Sequence, residues 1–64
     1  MSDSISIKEG YYDKIGIIHC GVIRGFKVNC GGELKVLEDG EEHHYERVGI
    51  TAKRQGDEVV FTKD

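Results

Sequence analysis

Proline and tryptophan are absent from this 64-residue sequence, and three tyrosines, two phenylalanines, two cysteines and one methionine are its whole stock of those types. Each shortage excludes something. Disordered linkers and tails are usually rich in proline, so its absence argues for an ordered chain. With apolar residues at 38% of so short a chain, the core is thin. A domain of this size buries only about 60% of the surface its unfolded chain exposes. That leaves little room for a deep ligand cavity plus a separate supporting core, and the sequence is read as a non-enzyme. No apolar run is long enough for a membrane span, and Met1-Ser2-Asp3-Ser4 is neither a cationic signal start nor a lipidation motif. Small secreted domains usually carry two to four disulfides. Two cysteines without an export signal therefore predict reduced thiols and a cytoplasmic protein. Excess positive charge is also missing: 9 Lys+Arg against 12 Asp+Glu give a formal net charge of −3. Nucleic-acid affinity is built from clustered Lys and Arg, so general nucleic-acid binding is disfavoured.

What the sequence does have is glycine, nine residues spread as single breaks except for the Gly31-Gly32 pair. No internal repeat is visible. Ile5 and Ile7 alternate with Ser4, Ser6 and Lys8 in strand fashion, and Gly10 ends the run. Residues 15–20, from Ile15 to Cys20, read as a second strand. A turn at Arg24-Gly25-Phe26 then sets Val22 opposite Val28 and Cys20 opposite Cys30, all on one face. Leu34 to Leu37 reads as the next strand. Asp39-Gly40 after it is a strong hairpin signal and predicts the pairs Glu38–Glu41, Val36–His43 and Leu34–Tyr45. The competing reading is a short helix over residues 40–48, with Asp39 as N-cap, Glu42 completing a capping box and Gly49 as terminator. A last hairpin turning at Gln55-Gly56 pairs Ala52 with Val59 and Ile50 with Phe61, leaving Thr51, Lys53, Glu58 and Val60 on the wet face. These elements predict a single all-β domain over residues 1–64, with residues 1–3 and 63–64 frayed. The architecture expected is an antiparallel meander or partly open barrel of five or six strands, of SH3-like or OB-like size.

The residues that carry chemistry do not assemble into a known pattern. His19, Cys20, Cys30, His43 and His44 are zinc-ligand types, but the paired spacing of structural zinc sites is missing, and neighbours in a strand point to opposite faces. The same divergence separates the Cys20 thiol from the His19 imidazole, and Glu41 from Glu42, so neither a cysteine nucleophile nor an acid/base pair is indicated. Gly21 to Gly25 lacks the Lys-Ser/Thr of a phosphate loop. No metal and no cofactor are expected.

Charge is the most informative pattern. Glu33, Glu38, Asp39, Glu41, Glu42 and Glu46 are accompanied only by Lys35 up to residue 46. The sequence therefore predicts a small adaptor, inhibitor or regulatory subunit that binds a partner protein through an acidic hairpin bearing Glu38, Asp39, Glu41, Glu42 and Glu46. The alternative is a nucleic-acid-binding barrel in which Arg24, Phe26, Lys27, Lys53 and Arg54 form a local basic and aromatic face. A small core with unpaired strand edges also predicts a homo-oligomer, most simply a two-fold dimer.

Overall fold

The computed structural model describes residues 3–63, all of them in strands, turns and short connections. Eight strands follow in chain order: β1 (Asp3–Lys8), β2 (Tyr12–Ile15), β3 (Ile18–Ile23), β4 (Lys27–Cys30), β5 (Glu33–Val36), β6 (Glu42–Tyr45), β7 (Ile50–Gln55) and β8 (Glu58–Lys63). They form two antiparallel four-stranded sheets, the first ordered β1-β8-β7-β6 and the second β2-β3-β4-β5. The all-β antiparallel class holds, with more strands than the five or six expected and with no helix among the described residues. Asp3 and Lys63, expected among the frayed ends, pair with each other at the end of the β1–β8 ladder. Met1, Ser2 and Asp64 lie outside the described residues.

The extra strands come from turns that the sequence pattern does not announce. Gly16-Ile17 breaks the expected strand from Ile15 to Cys20 into β2 and β3, with Ile15 opposite Ile18. Gly16 has φ 66° and Ile17 keeps a negative φ. That is the pattern of a type II′ turn, whose twist matches a tight hairpin. The Arg24-Gly25-Phe26 turn and the pairs Val22–Val28 and Cys20–Cys30 are as expected. The last hairpin turns at Gly56-Asp57 instead of Gln55-Gly56, so Ala52 faces Phe61 and Ile50 faces Lys63. A slip of two residues preserves the side-chain alternation, and the buried face is unchanged.

Asp39-Gly40 does make a turn, but not a hairpin. The Glu41 N–H donates to the Glu38 carbonyl at 2.9 Å, with φ 82° at Gly40 and no positive φ at Asp39. This is a type II turn, which splays the flanking strands where a type I′ turn would pair them. β5 accordingly pairs with β4, and β6 pairs with β7, setting Tyr45 opposite Ile50 and His43 opposite Ala52. The expected Val36–His43 and Leu34–Tyr45 pairs do not form, nor does the competing helix.

The same device occurs once more. Tyr11 N–H donates to Lys8 O at 3.1 Å, Gly10 N–H to Val22 O at 2.7 Å, and Val22 N–H to Tyr11 O at 3.0 Å. At the second site Gly40 N–H donates to Arg54 O and Arg54 N–H to Glu41 O, both at 3.0 Å. Both are G1-type bulges led by a glycine in the left-handed region. Each carries the chain from one sheet to the other. Matching the bulges aligns β1 to β4 with β5 to β8 in order, and the strand order β2-β3-β4-β5 becomes β6-β7-β8-β1. The molecule is thus built from two halves of one topology, a repeat invisible in the residues because the halves share strand order and one glycine-led turn but neither hairpin lengths nor side chains.

Between the sheets lie Ile7, Ile15, Cys20, Val22, Val28, Cys30, Leu37, Tyr45, Ile50, Ala52, Val59 and Phe61, all buried. Ile5, Ile18, Phe26 and Val48 pack around them. The Tyr45 hydroxyl donates to the Val28 carbonyl at 3.4 Å, a bond from the first sheet to the second that satisfies a buried polar atom.

Candidate functional site

The fold divides the acidic segment between turn-holding and exposed roles. The Asp39 carboxylate accepts the Gly56 N–H at 2.9 Å, and that of Glu41 accepts the Glu38 N–H at 2.9 Å. These two acids hold the turn and dock it on the β7–β8 hairpin. Glu42 stands opposite Lys53 on the first sheet. Glu46 lies in the turn at the far end of β6, and Glu38 in the connection before β6. Glu38, Glu42 and Glu46 remain exposed.

Of the basic and aromatic set, the structure brings Arg54 onto Phe26 in the hairpin that also carries Arg24 and Lys27, and sets Lys53 apart. The Arg54 guanidinium lies 3.6 Å from the centre of the Phe26 ring. Its Nε donates to Gly56 O at 3.0 Å and its Nη1 to Leu37 O at 3.3 Å. A cation stacked on an aromatic face and bonded to two carbonyls is a structural clamp. It holds Phe26, whose φ of 56° is the one positive value at a non-glycine residue among those described. Lys53 projects from the outer face of the first sheet, while Arg24 and Lys27 belong to the second.

The thiols of Cys20 and Cys30 lie 3.3 Å apart as free, buried neighbours across β3 and β4. Burial pushes both thiol pKa values up, that of Cys30 from 9.0 to about 12, where the nearby Cys20 and Glu33 add to the effect. A nucleophilic or metal-binding cysteine needs the thiolate, which this setting disfavours. His19 points to the opposite side of β3, and His43 sits edge-on to Tyr45 with ring centres 4.6 Å apart. Among the described residues no three His, Cys, Asp or Glu side chains gather closely enough to hold a metal ion.

A different surface emerges on the second sheet. Its outward positions are Tyr12 and Lys14 on β2, His19, Gly21 and Ile23 on β3, Lys27 and Asn29 on β4, and Leu34 and Val36 on β5. Tyr12, Leu34 and Val36 are 77%, 64% and 54% exposed, and Ile23 is exposed as well. Tyr12, Gly21, Asn29 and Leu34 line up across the four strands as one row, and Ile23, Lys27 and Val36 as the next. No strand position on this face is a carboxylate. Gly21 keeps the row low: a Cβ there would meet the Tyr12 Cβ at 2.8 Å. Beside it lies an open groove of about 520 Å³, bounded by Tyr11, Tyr12, His19, Ile23, Arg24 and Asn29. Tyr11 and Tyr12 are both exposed.

Sequence reasoning missed this face because Leu34 and Val36 read as ordinary strand apolars. The signal was present in Glu33-Leu34-Lys35-Val36, where the charged residues occupy one parity and the apolar residues the other. Only the pairing partner tells which parity faces the core. The fold and surface define a small two-sheet β-domain with four exposed apolar side chains on one outer face. No family model, no curated protein and no solved structure matches the chain. No helix among the described residues is long and apolar enough to cross a membrane.

Proposed function

We propose that this chain is a protein-interaction domain, an adaptor or regulatory module without catalytic activity of its own, whose contact surface is the outer face of the second sheet. One observation carries the reading: Tyr12, Ile23, Leu34 and Val36 project together from a single face. Exposed apolar side chains gathered on one face of a small domain mark interaction sites. An aromatic anchor, a flat glycine floor and the cations Lys14, Arg24 and Lys27 beside the apolar side chains suit a partner surface that combines apolar and acidic groups. The acids Glu38, Glu42 and Glu46 occupy no strand position on this face and are left to solubility or to a peripheral role.

The test compares two variants as baits for proteins from the source cell. A Leu34→Ser/Val36→Ser/Tyr12→Ser variant should lose the protein that wild type retains, with its β-sheet circular dichroism intact. A Glu38→Gln/Glu41→Gln/Glu42→Gln variant should keep it. The reverse result would return the contact to the acidic segment. Tight, steeply salt-dependent binding to a short single-stranded oligonucleotide, lost on changing Arg24 and Lys27, would replace a protein partner with nucleic acid.

A further inference from the structure

The four edges of the two sheets are not alike. β1 lies along β2 and β3, closing one side of the sandwich, whereas β5 and β6 make no comparable contact. On β5, the Leu37 N–H donates to Phe26 O at 3.1 Å just beyond the strand end. Backbone groups alternate in an antiparallel ladder, so Glu33 and Lys35 direct theirs to β4. Leu34 and Val36 then present their N–H and C=O groups to the free edge. An exposed row of this kind is a template for another strand.

We propose that β5 pairs with β5 of a second copy of this chain, antiparallel about a two-fold axis centred on Leu34. In that register Leu34 of each copy exchanges two backbone hydrogen bonds with the other, and Val36 N–H reaches the Gly32 carbonyl. Glu33 falls opposite Lys35 of the second copy, and Lys35 opposite its Glu33. Two further observations favour this occupant. The Glu33 Oε2 is buried without a hydrogen-bond partner, an acceptor the arriving ammonium satisfies. Lys35 makes only a long 3.9 Å approach to Glu41 and stays 39% exposed, free to reorient. The neighbouring register, centred on Lys35, sets two ammonium groups against each other and is disfavoured. The dimer joins two second sheets into one of eight strands and makes their apolar outer faces continuous. Four-residue edges bury little area, so the association is weak and concentration-dependent. This goes beyond the partner-binding proposal, since it concerns the purified chain alone.

Sedimentation equilibrium combined with amide hydrogen exchange tests it, using purified full-length chain from micromolar to millimolar concentration. The mass should rise from 7.2 kDa toward twice that value, with the Leu34 and Val36 amides gaining protection as it does. Glu33→Lys and Lys35→Glu should each weaken dimerisation at least about tenfold, because each creates like-charge pairs across the axis. The double reversal Glu33→Lys/Lys35→Glu should restore it, and an equimolar mixture of the two single variants should form heterodimers. Circular dichroism of each variant separates lost pairing from lost folding. A monomer at every concentration, or dimerisation unchanged by both single reversals, would overturn the proposal. So would a wild type/Lys35→Glu mixture that associates more tightly than wild type alone, which would select the Lys35-centred register. None of these results depends on whether another protein binds the outer face.

Discussion

The two sheets have the same strand order, the same kind of glycine-led bulge at their entry, and inner faces that share one core. Their outer faces differ. The first presents Ser6, Val60, Lys53 and Glu42 as a row across its strands. There, Ser6 Oγ donates to Glu58 Oε2 at 3.0 Å, and His44 Nδ1 lies 2.8 Å from Thr51 Oγ1. The second presents Tyr12, Gly21, Asn29 and Leu34 in its corresponding row. Because the fold is built equally well with a wet outer face, stability does not require the apolar one. That contrast separates residues that hold the domain together from residues available for contact.

The contrast can be broken most strongly in the shared core. Phe61→Ala removes a ring with 0% exposure from the inner face of β8 and should cost about 3–5 kcal/mol. In a domain of this size that approaches the whole margin of stability, and an amide NMR spectrum collapsed to random-coil dispersion is the expected readout. A well-dispersed spectrum would mean that the sheets do not depend on one core.

The bulges offer a sharper comparison. Gly10 and Gly40 have φ of 88° and 82°, and a methyl group added at either would meet nothing within 4 Å, so the cost of alanine there is conformational alone. Gly10→Ala and Gly40→Ala should each destabilise by about 1–2 kcal/mol, and by equal amounts in urea unfolding. A large effect at one site alone would show that the halves match in topology but not in energetics.

Alkali should act on the core that the halves share. Burial pushes the Cys30 thiol of the second sheet from 9.0 to about 12, and the Tyr45 phenol of the first from 10.0 to about 12. The unfolded chain releases these protons first, so their contribution is complete below pH 9 and is lost as pH rises toward about 12. The urea midpoint should fall across that window. A Cys20→Ala/Cys30→Ala variant should retain only the later part of the fall, from Tyr45. A midpoint independent of pH there would contradict the burial of these groups.

The smallest effects belong to the outer face. Leu34→Ser and Val36→Ser should each change stability by no more than about 0.5 kcal/mol, while raising the solubility limit. A loss on the order of 2 kcal/mol or more, typical of a buried side chain, would mean that this face is part of the fold.

Local chemistry was sufficient for the class of the domain and for the β3–β4 hairpin. The alternation of Ile5 with Ile7 is a short-range pattern that marked a strand, and that of Cys20 and Val22 against Cys30 and Val28, with both partners close in sequence, led to the observed pairs. Asp39-Gly40 was equally conspicuous and misled, because a turn dipeptide is compatible with two backbone types and only one of them pairs its flanks. The candidate surface shows the same limit: the exposed row on the second sheet gathers Tyr12, Gly21, Asn29 and Leu34 from four strands.

Period-two alternation and glycine spacing act over a few residues, and they were enough to specify an antiparallel β-domain with a thin core. Which sheet each strand joins, and which parity of Glu33-Leu34-Lys35-Val36 faces water, was settled only in three dimensions. So were the clamp of Arg54 on Phe26 and the capping of the β7–β8 turn by Asp39. Those outcomes depend on partners up to dozens of residues away, chosen by the packing of two whole sheets, and no local pattern in the chain encodes them separately.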